Sequence, residues 1–165
     1  MKIKKWGIVQ ALLVLCMIMM FCRWYNRKEY TKAPSDMPKS EIERFHWVIS
    51  VAESTLDVRA RNGKAYGIVQ VTSSVTEELN KVYGTKFTPR MCLGNRELSW
   101  RMLDLYLNRP EMHKVFGPNP SWTIKAGAWK AGIHGYLQGR GDAYVEKCKR
   151  IEARRGWGGP NSLFK

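Results

Sequence analysis

Residues 45–72 read FHWVISVAESTLDVRARNGKAYGIVQVT, and the reading of this stretch decides the fold. Its first part continues a helix that begins at Ser40. Ser40-Glu41-Ile42-Glu43 has the capping-box spacing, with Ser at N-cap and Glu at N3. Ile42, Phe45, Ile49 and Ala52 then recur at helical intervals and define one apolar face. Glu53 stands four residues beyond Ile49 and projects at the margin of that face. A Gly-containing turn follows Glu53-Ser54. The next segment, 64–72, carries the β-prone run Ile68-Val69 and Val71 after two glycines, which predicts a short strand or an ordered loop.

Glu53 is the candidate general acid/base of the chain. Apolar neighbours would desolvate its carboxylate, and a helix C-terminus would set partial negative charge beside it. Both favour the neutral acid that protonates a leaving oxygen. Taken alone, however, the periodicity fits a solvated glutamate at a helix edge better, since most glutamates are of that kind.

The remaining sequence supplies the frame. Of the 165 residues, 44% are hydrophobic and 12% aromatic, enough for a packed core and too much for wholesale disorder. The net charge is +14, with +6 in residues 1–40 and +8 in 41–165. Such a surface attracts polyanions: nucleic acid, anionic lipid or an acidic wall polymer. Four cysteines make no C-x-x-C pair, which argues against a zinc ribbon or redox motif. A Cys92–Cys148 disulfide would require an oxidising compartment, and two separate buried thiols are the preferred reading.

Residues 1–25 combine a positive start, Met1-Lys2-Ile3-Lys4-Lys5, with the apolar run 7–22. That run spans about 24 Å as a helix, short of a bilayer core of about 30 Å. Trp6 on one side and Trp24-Tyr25 on the other extend it as interfacial anchors. No small-residue cleavage site follows, so an uncleaved membrane anchor is preferred to a signal peptide. Residues 26–39 read as a linker, 40–155 as the folded domain and 156–165 as a loose Gly/Pro-rich tail. Within the domain, Ser74-Val75-Thr76-Glu77 gives a second capping box for a helix to about Tyr83. Asn95 caps a helix to about Asn108, and Asn119-Pro120 opens another that stops near Gly132. Asp142 caps the last, which turns Tyr144, Cys148 and Ile151 inward. The expected fold is mainly α with a small β element or ordered loop after the Glu53 helix.

Four segments shift the weight toward function: Glu53-Ser54, Gly67-Ile68-Val69-Gln70, Ala126-Gly127-Ala128-Trp129-Lys130-Ala131-Gly132 and Tyr144-Val145. In order and spacing they resemble the soluble lytic transglycosylases, lysozyme-like enzymes that cleave peptidoglycan, over residues 41–150. The resemblance implies an α+β lysozyme-like fold and a single acid/base, Glu53. That residue would protonate the oxygen between N-acetylmuramic acid and N-acetylglucosamine. It would then take the proton of the muramic acid 6-hydroxyl as a 1,6-anhydro ring closes. Two-carboxylate glycosidases need a second carboxylate, and the nearest in sequence, Asp57, reads as a turn residue. By the same resemblance Ser54 helps place Glu53, and Tyr66, Gly67, Gln70, Trp129 and Lys130 line the substrate. Neither metal nor cofactor is implied. The chain departs from the family where Trp129-Lys130 replaces a Tyr-Asn pair, where Cys92 replaces an Asn, and where Thr72 replaces a Met. Lys130 either pairs with Glu53 or binds a carboxylate of the peptide stem.

The implied partners are a peptidoglycan glycan strand and, through residues 1–25, a membrane, with the domain facing the cell wall. A secreted or virion-associated protein is the alternative. A phage, a conjugation or secretion apparatus, or wall turnover would each use such a wall cutter. Competing readings are a hydrolytic lysozyme, a non-catalytic wall-binding scaffold and a Cys92/His134 peptidase. The interleaved Trp and Lys/Arg also suit single-stranded nucleic acid, but Trp47, Trp100 and Trp122 fall on predicted helices and are assigned to packing, so no nucleic acid is expected.

Overall fold

The computed structural model describes residues 40–165, together with Met17 and Pro38. The expected membrane anchor (1–25) and linker (26–39), these two positions aside, lie outside the described residues. No helix among the described residues is long and apolar enough to cross a membrane.

Helix α1 (Glu41–Ser54) begins where expected, with the Ser40 side chain accepting from the Glu43 N–H at 3.3 Å. It is buried on more than one face: every residue from Phe45 to Ser50 is inside. Such a helix runs through the domain instead of lying on it. Phe45, Val48 and Ile49 are 0–1% exposed, and each contributes about 1.5–3 kcal/mol of burial free energy. Ile42, expected on the inner face, is exposed, because the first turn precedes the point where the helix enters the core.

A small hairpin follows. Strands β1 (Arg61–Asn62) and β2 (Ala65–Tyr66) pair antiparallel, Arg61 opposite Tyr66 and Asn62 opposite Ala65, and Tyr66 bridges onward to Val71. Helices α2 (Ser73–Tyr83), α3 (Arg96–Leu107), α4 (Pro110–Phe116), α5 (Trp122–Leu137) and α6 (Asp142–Ala153) complete the domain. Two 3₁₀ turns, Pro89–Cys92 and Gly159–Asn161, lie among them. The described chain is therefore mainly helical with a small β element. Helix α1 packs on α6, α6 on α5, α5 on α3 and α3 on α2.

Several helix starts differ from expectation. Helix α2 opens two residues early, and the Thr72 hydroxyl at its N-cap lies 2.9 Å from Ser74 Oγ, bonded to a side chain and not to the helix backbone. Helix α5 is capped by Ser121, not Asn119, with Ser121 Oγ accepting from Ile124 N–H. Its first segment stops at Gly132, as expected, where the backbone leaves helical geometry (φ 71°, ψ 168°) in a kink, and a second helical segment carries on to Leu137. Asp142 begins α6 but makes no side-chain cap. Helix α4 was not foreseen; Pro110 read as the end of α3 serves instead as its first residue.

The tail corrects the expected domain boundary: residues 156–165 are not loose. Leu163 and Phe164 are buried, and the Phe164 ring lies 6.2 Å from that of Phe45. Glu152, fully buried on α6, accepts from Arg44 Nη2 (2.8 Å), Ser162 Oγ (2.5 Å) and the Leu163 N–H (2.9 Å). Arg44 also donates to the Trp157 carbonyl, and the Trp157 ring stands edge-on to Trp47 at 5.2 Å. Glycine and proline in the tail set a path for the chain, and the two apolar residues after them anchor it. Glu152→Ala should therefore lower unfolding stability by about 3–5 kcal/mol, the cost of breaking a buried charged pair. It should also open Arg154 and Arg155 to trypsin. An unchanged urea midpoint with an uncut tail would refute this role.

Candidate active site

Glu53 is the penultimate residue of α1, and its side chain is 9% exposed. How α1 ends fixes where that carboxyl points. Thr55 and Leu56 both take left-handed backbone (φ 58° and 70°). Their N–H groups donate to Val51 O (3.2 Å) and Ser50 O (3.3 Å). Lys147 Nζ, from α6, donates to Ala52 O at 2.5 Å. Helix carbonyls that would otherwise be orphaned at this end are thus satisfied. The sequence reading set bare negative helix charge beside Glu53; the structure puts an ammonium on that helix end.

Ser54 joins this end to the following loop. Its hydroxyl lies 2.7 Å from Ile68 O and 3.1 Å from Ser50 O, so the shorter bond crosses to the 67–70 segment. In that segment Gln70 is left-handed at φ 57° and its side chain folds back, Nε2 donating to Gly67 O at 2.8 Å. Gln70 Oε1 is buried with no hydrogen-bond partner among the described residues. An unsatisfied buried acceptor costs about 1–3 kcal/mol, and a donor supplied by a ligand removes that cost. Gly67 (φ 75°) is needed for close approach: a Cβ there would lie 2.7 Å from both Cβ and O of Cys92. Its contact is with the protein interior, not with solvent. Tyr66 is half-buried, backbone-paired to Val71, with the Arg61 guanidinium 5.4 Å from its ring centroid.

Two helices bring side chains to Glu53. Lys130 Nζ of α5 lies 3.3 and 3.4 Å from the two carboxylate oxygens. The same ammonium is 5.3 Å from the centroid of the Tyr144 ring on α6. The meeting of these helices has a steric cause. A Cβ on Gly141 would stand 2.8 Å from Gly127 Cα and 2.9 Å from its carbonyl oxygen, so only glycine permits this approach. Lys130 and Tyr144 each lie three residues beyond the contact, about one helical turn.

Tyr144 is the functional candidate that residue-by-residue reading assigned only to the core. Burial first, and then the Glu53 carboxylate, push its pKa well up, so it remains a protonated donor. The carboxylate is close enough to act on the hydroxyl, yet the oxygen has no partner at hydrogen-bonding geometry. The signal for it in the sequence was the Tyr144-Val145 pair within the fourth segment.

Trp129 is not at the carboxyl. It is buried and edge-on to Tyr106, ring centroids 5.5 Å apart. Consecutive helical residues point about 100° apart, so Trp129 and Lys130 cannot both face Glu53. Thr72 is at the α2 N-cap, and Cys92 packs behind Gly67.

Among the described residues no disulfide forms: Cys92 and Cys148 are separate buried thiols. Burial raises the pKa of Cys92, and burial with the charges of Glu53 and Glu152 raises Cys148 to about 12 despite Lys147. A buried neutral thiol is a poor nucleophile. Cys92 Sγ is turned to Met102 Sδ at 3.5 Å, while the exposed His134 reaches Glu111 at 3.8 Å, so the Cys92/His134 dyad is not assembled. No group of three His, Cys, Asp or Glu among the described residues is placed to hold a metal ion. In native protein at pH 8, iodoacetamide should leave Cys92 and Cys148 unmodified, and denaturation should expose both. Peptide mapping by mass reads this directly, and rapid native labelling of either would contradict it. Comparison with protein-family models, curated proteins and solved structures finds no match to this chain.

Proposed function

We propose that the protein is a peptidoglycan lytic transglycosylase in which Glu53 is the sole acid/base. The observation that carries the reading is one nine-tenths-buried carboxyl at a helix end, faced by Tyr144 and Lys130, while Asp57, Glu78, Asp104 and Glu152 are engaged elsewhere. Asp57 accepts from the Arg59 N–H, Asp104 from His46, and Glu152 from Arg44, Ser162 and Leu163; Glu78 pairs with Arg109. A one-carboxylate site suits a reaction whose nucleophile belongs to the substrate itself.

In that reaction Glu53 gives its proton to the glycosidic oxygen as the bond to muramic acid C1 breaks. The 6-hydroxyl oxygen of the same sugar bonds to C1, and its proton passes to the Glu53 carboxylate. Glu53 ends protonated, as it began, and no water is consumed. Tyr144 donates toward the carboxylate when it is charged, stabilising it between the two transfers. Gln70 Oε1 offers an acceptor to an acetamido N–H. The basic surface suits an acidic wall, and the N-terminal segment would hold the domain near it, as part of wall turnover or of a phage, conjugation or secretion apparatus.

The Lys130–Glu53 ion pair favours a second reading, a wall-binding module of similar shape without cleavage, because the ammonium occupies both oxygens of the carboxyl. Digestion of purified peptidoglycan by the full-length protein, with products identified by mass, separates the readings. Anhydro-muropeptides, lost by about 10²–10⁴-fold in Glu53→Gln, are the expected result. Reducing muramic acid ends would mean a hydrolase, and binding without products a module. Tyr144→Phe removes the hydroxyl proposed to donate to the charged carboxylate during the reaction and should lower kcat/KM about 10–100-fold. An unchanged rate would remove Tyr144 from the mechanism.

A further inference from the structure

The reaction above leaves Lys130 without a task, and its geometry suggests one. Its ammonium touches both Glu53 oxygens, at 3.3 and 3.4 Å, distances longer than the roughly 2.7–2.9 Å of tight charge-assisted bonds. Half of the Lys130 side chain is exposed, against 9% of Glu53. A ligand coming from solvent therefore meets the lysine before the acid. The neighbouring Lys147 is occupied at the Ala52 carbonyl. Lysine is a compact charge on a flexible four-carbon stem, so Lys130 can change partners without moving its helix.

An acid that must release a proton to a glycosidic oxygen is not served by a cation on both its oxygens, so the cation has to leave as substrate arrives. An anion on the substrate draws it away by offering an ion pair in exchange. The sugar rings of the wall glycan are neutral. The carboxylates beside the scissile bond all hang from the lactyl ether of muramic acid. They belong either to the attached stem peptide or, where the stem has been removed, to the lactyl group itself.

On the reading of Glu53 as the wall-glycan acid, we infer that Lys130 is a specificity-determining residue that binds a carboxylate carried on the muramic acid lactyl ether, releasing Glu53 as it does so. The step exchanges one ion pair for another and makes or breaks no covalent bond. It makes cleavage faster where an anionic substituent lies next to the bond to be cut. Neutral glycan offers Lys130 no partner in exchange for Glu53.

The test uses full-length protein and three glycans: strands with free stem carboxylates, the same strands with carboxylates capped as methylamides, and strands stripped of stems so that the lactyl carboxylate is free. Wild type should cleave one or both carboxylate-bearing strands about tenfold faster in kcat/KM than the capped strands, and the faster of the two identifies the carboxylate. In Lys130→Met that ratio should fall to about one, while Lys130→Arg, which keeps the charge, should retain it. Equal cleavage of capped and uncapped strands by wild type, or a preference that survives Lys130→Met, overturns the inference while leaving the proposed reaction intact. If wild type cleaves none of the strands, the reaction itself is refuted, and titration calorimetry then decides Lys130 separately. Tighter binding of carboxylate-bearing strands that Lys130→Met abolishes upholds recognition of the carboxylate, and equal binding of all three overturns it.

Discussion

The burial of α1 from Phe45 to Ser50 is the constraint on which the other elements depend. A helix enclosed along its length cannot leave its last carbonyls to water, so the chain must supply donors for them. Thr55 and Leu56 fold back to do so, and Lys147 reaches Ala52 from α6. That last contact places α6, and with it Tyr144 and Cys148, against the end of α1 where Glu53 emerges. The opposite end of α1 acts in the same way on the C-terminus. Arg44 meets Glu152 and the Trp157 carbonyl, and the chain from 157 to 165 settles beside Phe45. One central helix thus locates both the candidate acid and the closing strap of the domain.

Local cost collects near Glu53. Three described non-glycine residues have positive φ: Thr55, Leu56 and Gln70. Each carries about 1–2 kcal/mol of backbone strain. Two directly follow Glu53-Ser54, and the third lies in the loop that Ser54 holds through Ile68. Gln70 adds an unsatisfied buried acceptor. Tyr144 Oη, beside Glu53, is unmatched as well, whereas several buried polar groups along α1 are matched: His46 with Asp104 at 2.7 Å, Trp100 with Ser50 at 3.0 Å, Ser50 with His46 O at 2.7 Å. Backbone strain gathered in the segments around one carboxyl is what a site under functional constraint shows.

Local rules were legible in the sequence where they were enough to determine the outcome. Ser40 and Asn95 cap as their spacing predicts; a small hairpin forms at 61–66, but the β-prone Ile68-Val69 lies in the turn after it, with only Val71 bridging back to Tyr66. They failed where tertiary contact decides. The Ser74 box yields to Thr72, and Ile42 keeps the helical period but lies outside the core. Composition marked the tail as loose because it cannot register that Leu163 and Phe164 have a buried carboxylate and an aromatic ring waiting for them. At the site, Glu53 and Lys130 were legible as residue types and their pairing as one of two options. The displacement of Trp129 into the core was not, since it depends on which side of α5 meets α6, and that is set by the Gly127–Gly141 contact. Tyr144 was visible as inward-facing, but what it faces is fixed by the same crossing.

The two carboxylates that receive cations show why the Lys130 contact is better explained by exchange than by stability. Glu152 is fully buried and held by a guanidinium, a hydroxyl and a backbone N–H, with contacts as short as 2.5 Å. Removing any of these leaves charge stranded in the interior, which makes the arrangement rigid. Glu53 meets a lysine that is half in solvent, at distances of 3.3 and 3.4 Å. Pairs with one partner so exposed contribute about 0–1 kcal/mol. A factor of ten in an equilibrium corresponds to about 1.4 kcal/mol, so one well-placed competing carboxylate is enough to take Lys130 from Glu53. The same weakness that makes the pair a poor stabiliser makes it an effective selector, because its opening is set by what the substrate brings.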